Sequence, residues 1–289
     1  MTDVKIVVDT SADLPKDIAE KYNIGVMSFL SIFGEDTYVS GVDITNDEFF
    51  DKLESYDGFP TTSQTPYGDM YDYLLNESKE HKSVIYFAIS SKGSGQYNTA
   101  CLVRDEILEE NPDADIHIVD SEKFSLYIAQ TAVHAAKMAQ DGKSVEEIIS
   151  ECKRYINTWR CYLLVDTLKY LEKGGRINKA KAVVGTLLDI KPILTIENGL
   201  VESMDKLRGK KKLVEKLIEK IEEDEDFDSE NPEFMIVQSD EERGQKAVSI
   251  LEEKYGDNCI IMYSQFGAIV GTHVGRGAVA IICRIKEDK

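Results

Sequence analysis

The chain has 289 residues, a hydrophobic fraction of 42% and a formal charge of -19. That length favours two domains over one core, and the charge argues against nucleic acid or an anionic membrane surface as partner, since both would repel it. The five cysteines are odd in number, scattered and without a C-x-x-C pair, which points to reduced structural thiols in a cytoplasmic protein rather than to disulfides or zinc.

Met1 runs directly into a strand over 4–8, leaving no room for a signal peptide, and no apolar run approaches the roughly 18 residues of a membrane span. The strand ends at Asp9-Thr10-Ser11-Ala12-Asp13, and Pro15 sits as an early residue of a helix over 15–22. A strand-like run over 25–32 follows, then a hairpin-like segment with Tyr38 and Val39. Thr45 reads as a cap for a helix carrying Phe49, Phe50 and Leu53. The polar stretch Pro60 to Pro66 precedes a helix with Met70, Tyr73, Leu74 and Leu75. Strands are expected over 84–89 and 116–119, with helices over 126–140 and 144–157. This alternation predicts a doubly wound, mainly parallel sheet over residues 1–158.

Residues 159–289 read as a second α/β domain with a mixed or antiparallel sheet. Strands are expected over 162–165, 190–196, 200–204, 234–238, 259–264 and 278–284, with Asn198-Gly199 as a hairpin turn. Helices are expected over 168–173, 179–188, 211–222 and 242–255.

The most informative stretch is Ser90-Ser91-Lys92-Gly93-Ser94-Gly95, set between a strand and a helix. Its glycines let backbone approach a ligand and its serines are neutral donors, with no acid, histidine or cysteine among them. It reads as built to hold an anion rather than to react with one. Ligands of open α/β sheets gather at the C-terminal strand edge, where Thr61, Thr62, Ser63 and Gln64 are also expected. Any one of these hydroxyls is accounted for as a helix cap; the set is not, because one cap per helix suffices. Asp9 and Asp120 read as loop ties rather than metal ligands.

His273 lies among Gly271, Gly275 and Gly277, as in a tight loop beside a ligand. Arg176, after Gly174-Gly175, either binds the end of the preceding helix or reaches a ligand. Lys206, Arg208, Lys210, Lys211 and Lys212 crowd the start of a helix, where positive charge opposes the macrodipole. A phosphate, an acidic partner surface and a solvated face all remain open for that cluster.

Together these segments resemble the DegV family, the fatty-acid-binding subunits of bacterial fatty acid kinase. The likeness rests on Val8 to Pro15, Thr62-Ser63-Gln64, Ser90-Ser91 with Ser94-Gly95 and Tyr97, Asp120-Ser121, Leu171 to Ile177, Lys191 to Leu194, and Gly271-Thr272-His273 with Gly275 and Gly277. The resemblance implies a long-chain fatty acid at and below the junction of the two domains, and no other cofactor, metal or catalytic residue. Thr62 and Ser94 match the carboxylate-binding positions, flanked by Thr61, Ser63, Ser91, Gly93 and Gly95, with His273 near the head group. It implies that a separate ATP-using kinase subunit turns the bound acid into acyl phosphate for phospholipid synthesis. Arg176, Lys206, Arg208 and Arg276 then face the phosphate or the partner. Three positions depart from the family pattern: Thr65 intervenes before Pro66, Gly93 replaces a common leucine, and Arg276 a common proline.

Two rivals stand beside this reading. A serine hydrolase of acyl esters would use Ser94 as nucleophile and His273 as base, but the sequence lacks a G-x-S-x-G elbow. A phosphometabolite-binding enzyme would use the serine-glycine turn as a cradle, but neither phosphate-binding glycine motif is in place.

Overall fold

The computed structural model describes residues 3–177, 190–209 and 211–287; the helix expected over 179–188 and Lys210 lie outside them. The first part of the chain runs β1 (Val4–Asp9), α1 (Lys16–Tyr22), β2 (Gly25–Met27), β3 (Leu30–Phe33), β4 (Asp36–Val39), α2 (Asn46–Ser55), β5 (Thr61–Ser63), α3 (Tyr67–Glu80), β6 (Ser83–Ala88), α4 (Gln96–Glu110), β7 (Ile116–Asp120), α5 (Leu126–Gln140) and α6 (Val145–Tyr155). It continues β8 (Trp159–Leu164), α7 (Lys169–Gly174), β9 (Ile190–Glu197), β10 (Leu200–Arg208), α8 (Leu213–Glu222), β11 (Phe234–Gln238), α9 (Glu241–Tyr255), β12 (Ile260–Gln265), α10 (Ala268–Val274) and β13 (Val279–Arg284).

A fully parallel sheet has the order β2-β1-β6-β7. Side chains alternate across a strand, so one apolar run can feed two layers. Ile6, Val8, Ile85 and Phe87 face α5, packing with Leu126, Ala129 and Ala132. Val7, Val84 and Tyr86 turn the other way, onto Met70 and Leu74 of α3 and Ala100 and Val103 of α4. Both faces are covered, which makes the arrangement doubly wound.

The expected strand over 25–32 is instead two. Its first part joins β1, the chain turns at Ser28 and Phe29, and β3 pairs antiparallel with β4 and β5 in a separate three-stranded sheet. Thr10 helps set the break, because its hydroxyl accepts the Phe29 N–H. Thr61, Thr62 and Ser63 are therefore not a loop at the edge of the parallel sheet. They form β5, with Thr62 opposite Ser31.

The six-stranded sheet, order β10-β9-β8-β13-β11-β12, is mixed, and only β11 and β12 pair in parallel. Asn198 and Gly199 take φ of 48° and 75°, the left-handed pair of a tight hairpin. One face, with Leu164, Ile236 and Ile281, packs on Leu217 of α8 and Leu251 of α9. The other, with Cys161, Leu163, Val237 and Ile282, shares a hydrophobic cluster with the parallel sheet. The basic segment also sits differently from expectation. β10 runs on through Lys206 and Arg208, and α8 begins only at Leu213, so neither residue lies on a helix.

Candidate functional site

Between the sheets lies a slot enclosing about 770 Å³ of space between atoms, mouth included, of which only about 70 Å³ admits the centre of a water molecule. Apolar side chains of the six-stranded sheet, among them Leu163, Val237 and Ile282, form one wall. Of the residues singled out in the sequence, Thr62, Gly93, Ser94, Arg176 and His273 all line this slot.

The turn carrying Gly93 and Ser94 is anchored from several sides. Gly93 and Ser94 donate their N–H groups to the Ser90 carbonyl, and Ser90 donates its own to Lys123 O. The Ser90 hydroxyl donates to Gly199 O (2.7 Å) and Lys92 Nζ to Asn198 O (2.6 Å), so the β9–β10 hairpin clamps the turn from outside. Asp120 accepts the Ser91 N–H. Asp9 accepts from the Tyr86 hydroxyl and the Ile89 N–H, and burial pushes its carboxyl above the usual range. Both aspartates thus act as loop ties.

Thr61, Thr62 and Ser63 are not helix caps: they lie in β5, and Pro66, which precedes α3, makes no side-chain capping bond. Ser94 does serve the start of α4. Thr62 makes no side-chain hydrogen bond among the described residues. Ser94 Oγ accepts the Gln96 N–H at 3.2 Å, which leaves its own proton to donate. A Gln–Thr network that the sequence reading missed fixes the spacing of the two. Gln64 donates to Thr99, while Gln96 accepts the Thr65 N–H and donates to the Thr65 hydroxyl, which itself donates to Ser28 O. The extra residue Thr65 is therefore a buried joint between β5 and α4. Its spacing before Pro66 was the available signal.

His273, on α10, faces the chain at Gly174 so closely that a Cβ there would lie 2.2 Å from Nδ1. That nitrogen is buried without a hydrogen-bond partner among the described residues. Burial, reinforced by Arg176, pushes the imidazole down to about 4, so it is neutral near pH 7. Arg176 is half-buried and donates to Gly174 O (2.5 Å) and Gly93 O (3.2 Å). It both closes the end of α7 and reaches the serine-glycine turn.

The other expected residues stand apart from the slot. Thr61 and Gly95 are exposed, Ser63 bonds weakly to Gln64 O, and Ser91 faces Asp120 through its backbone. Lys206 and Arg208 are exposed on β10, one of the two edge strands of its sheet. Arg276 pairs with Asp51 and Glu54 at 2.7 and 2.8 Å, committed to acids of its own chain. Phe124 and Ser125 line the slot and were missed, although they lie just beyond the flagged Asp120-Ser121, after Glu122 and Lys123.

The fold and this slot define an α/β protein with two principal sheets and an apolar tunnel overlooked by hydroxyls. The family described as "Uncharacterised protein, DegV family" matches residues 3–286, and the chain belongs to it. A DegV domain-containing protein of Clostridium perfringens is 33% identical, over 96% of this chain and 97% of its own. The crystal structure of DegV from Bacillus subtilis, described as a fatty acid binding protein, superposes with a TM-score of 0.85 at 29% identity, covering 99% of this chain and 100% of that one. A stearic acid-binding protein from Eubacterium ventriosum gives 0.87 at 26% identity, covering 98% of each chain. Among the described residues no helix is long and apolar enough to cross a membrane.

Proposed function

We propose that this chain binds a long-chain fatty acid at and below the junction of residues 1–158 and 159–289, with the carboxylate on Thr62 and Ser94 and the tail in the apolar slot. The observation that carries the reading is that two hydroxyls, one from β5 and one from the turn after β6, border one narrow, mainly apolar slot. Fatty-acid binding by the structural relatives supports it. Burial of the tail contributes roughly 0.8 kcal/mol per methylene, whereas each hydrogen bond to a charged carboxylate nets only about 1.5–3 kcal/mol. The tail sets affinity; the hydroxyls set register. Arg176 supplies positive charge beside the head, and neutral His273 has a ring N–H to donate.

The bound acid is then presented to a separate ATP-dependent kinase subunit, which converts it to acyl phosphate. Neutral hydroxyls leave the carboxylate nucleophilic where a direct ion pair would quench it. Exposed Lys206 and Arg208 are the basic groups available to that partner. The hydrolase alternative fares worse, because no hydrogen bond joins Ser94 to His273 among the described residues. Native mass spectrometry of purified protein should reveal a co-purifying long-chain acid. Thr62→Ala with Ser94→Ala should abolish acyl-phosphate formation with the kinase subunit, and full retained turnover would refute the presentation step.

A further inference from the structure

The wall beside the proposed head-group site has an unusual construction. Phe124 is half-buried, lines the slot and lies against Gly93, the residue before Ser94. A Cβ at position 93 would sit 2.5 and 2.7 Å from Cε1 and Cζ of the ring, closer than carbon atoms approach. Only a residue without a side chain lets the ring occupy this place.

The backbone on both sides of the ring is held. The Lys123 carbonyl accepts the Ser90 N–H at 3.1 Å. Ser125 takes φ 58° and ψ -139°, a conformation non-glycine residues rarely adopt and one that persists only where surroundings enforce it. The enforcement is visible: the Ser125 N–H donates to Ser11 O (3.0 Å) and its hydroxyl to buried Asp13, which also accepts the Gly267 N–H at the start of α10. A strained, multiply tied segment therefore holds one aromatic ring against one glycine, a single residue from the proposed carboxylate site.

Resting on the fatty-acid reading above, we infer that Phe124 is a specificity-determining wall for the carbons next to the carboxylate. It admits straight chains and excludes acids branched at C2 or C3, whose substituent would meet the ring. Gly93 makes room for the ring, and Asp13 with Ser125 is the positioning clasp.

The test compares stearate with 2-methylstearate by competition against a fluorescent fatty acid. A methyl group in a close-fitting pocket is discriminated roughly 10- to 200-fold, so the wild type should prefer stearate by about tenfold or more. Phe124→Ala should bring the two acids to within about threefold by removing the wall. Phe124→Leu, which keeps most of the packing, should narrow the ratio in the same direction and serves if the alanine variant is poorly folded. Gly93→Ala should displace the ring and weaken stearate itself. Stearate binding with an unchanged ratio in the Phe124 variants, or a wild type that does not discriminate, overturns the assignment of the wall alone. A wild type that binds neither acid overturns the fatty-acid reading and this inference with it.

Discussion

The apolar floor of the slot and its proposed head are built on opposite principles. The floor is strand: Leu163, Val237 and Ile282 project from β8, β11 and β13 with the alternation any half-buried sheet has, and their other-face neighbours pack on α8 and α9. The proposed head is assembled from a three-residue strand, a turn, a helix end and a short helix, each contributing one group and each tied by long-range hydrogen bonds. Apolar surface is forgiving of detail, since burial scales with area. Positioning a carboxylate is not, because a displaced donor loses its bond. Affinity and geometry are thereby assigned to separate parts of the molecule.

Shortening the ligand attacks the floor and should have the largest effect. Going from an 18- to a 10-carbon acid should cost on the order of 6 kcal/mol at roughly 0.8 kcal/mol per methylene, read as binding constants by calorimetry. A much flatter series would place the tail outside the slot. Thr62→Ala with Ser94→Ala attacks the head and should cost about 3 kcal/mol or more in affinity, with the slope per methylene unchanged. A changed slope would mean that head and tail are not separable.

A third experiment uses protons. Burial pushes Asp13 up to about 7, so between about pH 4 and 7 the folded chain holds a proton the unfolded chain has released, and stability declines as pH rises. His273, pushed down to about 4, does the reverse: between about pH 4 and 6.5 the unfolded chain takes the proton and stability declines as pH falls. The two oppose one another in the wild type. Burial also raises Asp9, whose slope opposes that of the histidine and persists in both variants, so the readout is the change from wild type. Asp13→Asn should tilt the profile by up to about 1.4 kcal/mol per pH unit toward loss on acidification, and His273→Gln by a similar amount toward loss as pH rises. Denaturant midpoints between pH 4.5 and 6 measure both, and parallel profiles for the two variants would contradict the assignment. Smallest of all, Arg276→Gln should change stability by less than about 1 kcal/mol, as expected for a partly exposed ion pair, and leave ligand binding intact. A marked loss of binding would return Arg276 to the site.

The same contrast governs what could be read from the chain alone. The floor and the parallel sheet were legible because apolar runs such as Val84 to Ile89 are local signals. Ser90 to Gly95 was legible because glycine and serine at a strand end have few other uses. β5 was not: three polar residues resemble a loop, and only the partner strand β3, some thirty positions earlier in the chain, makes them a strand. The left-handed Ser125, its bond to Asp13 and the Phe124 contact with Gly93 are properties of residues distant in the chain, and no periodicity encodes them. Lys206 and Arg208 were misplaced because charge at a helix start and charge at the end of a long edge strand look alike until the strand's end is known.

The slimness of the slot has a last consequence. Narrow greasy crevices wet poorly, so solvent is a poor stand-in for the tail of the guest when it leaves. The molecule then resembles a sheath shaped around its blade: emptied, it must either close its walls on each other or tolerate a vacuum, and both weaken packing. Cargo is in that sense a portion of the core delivered from outside, and the melting temperature should record whether it has arrived.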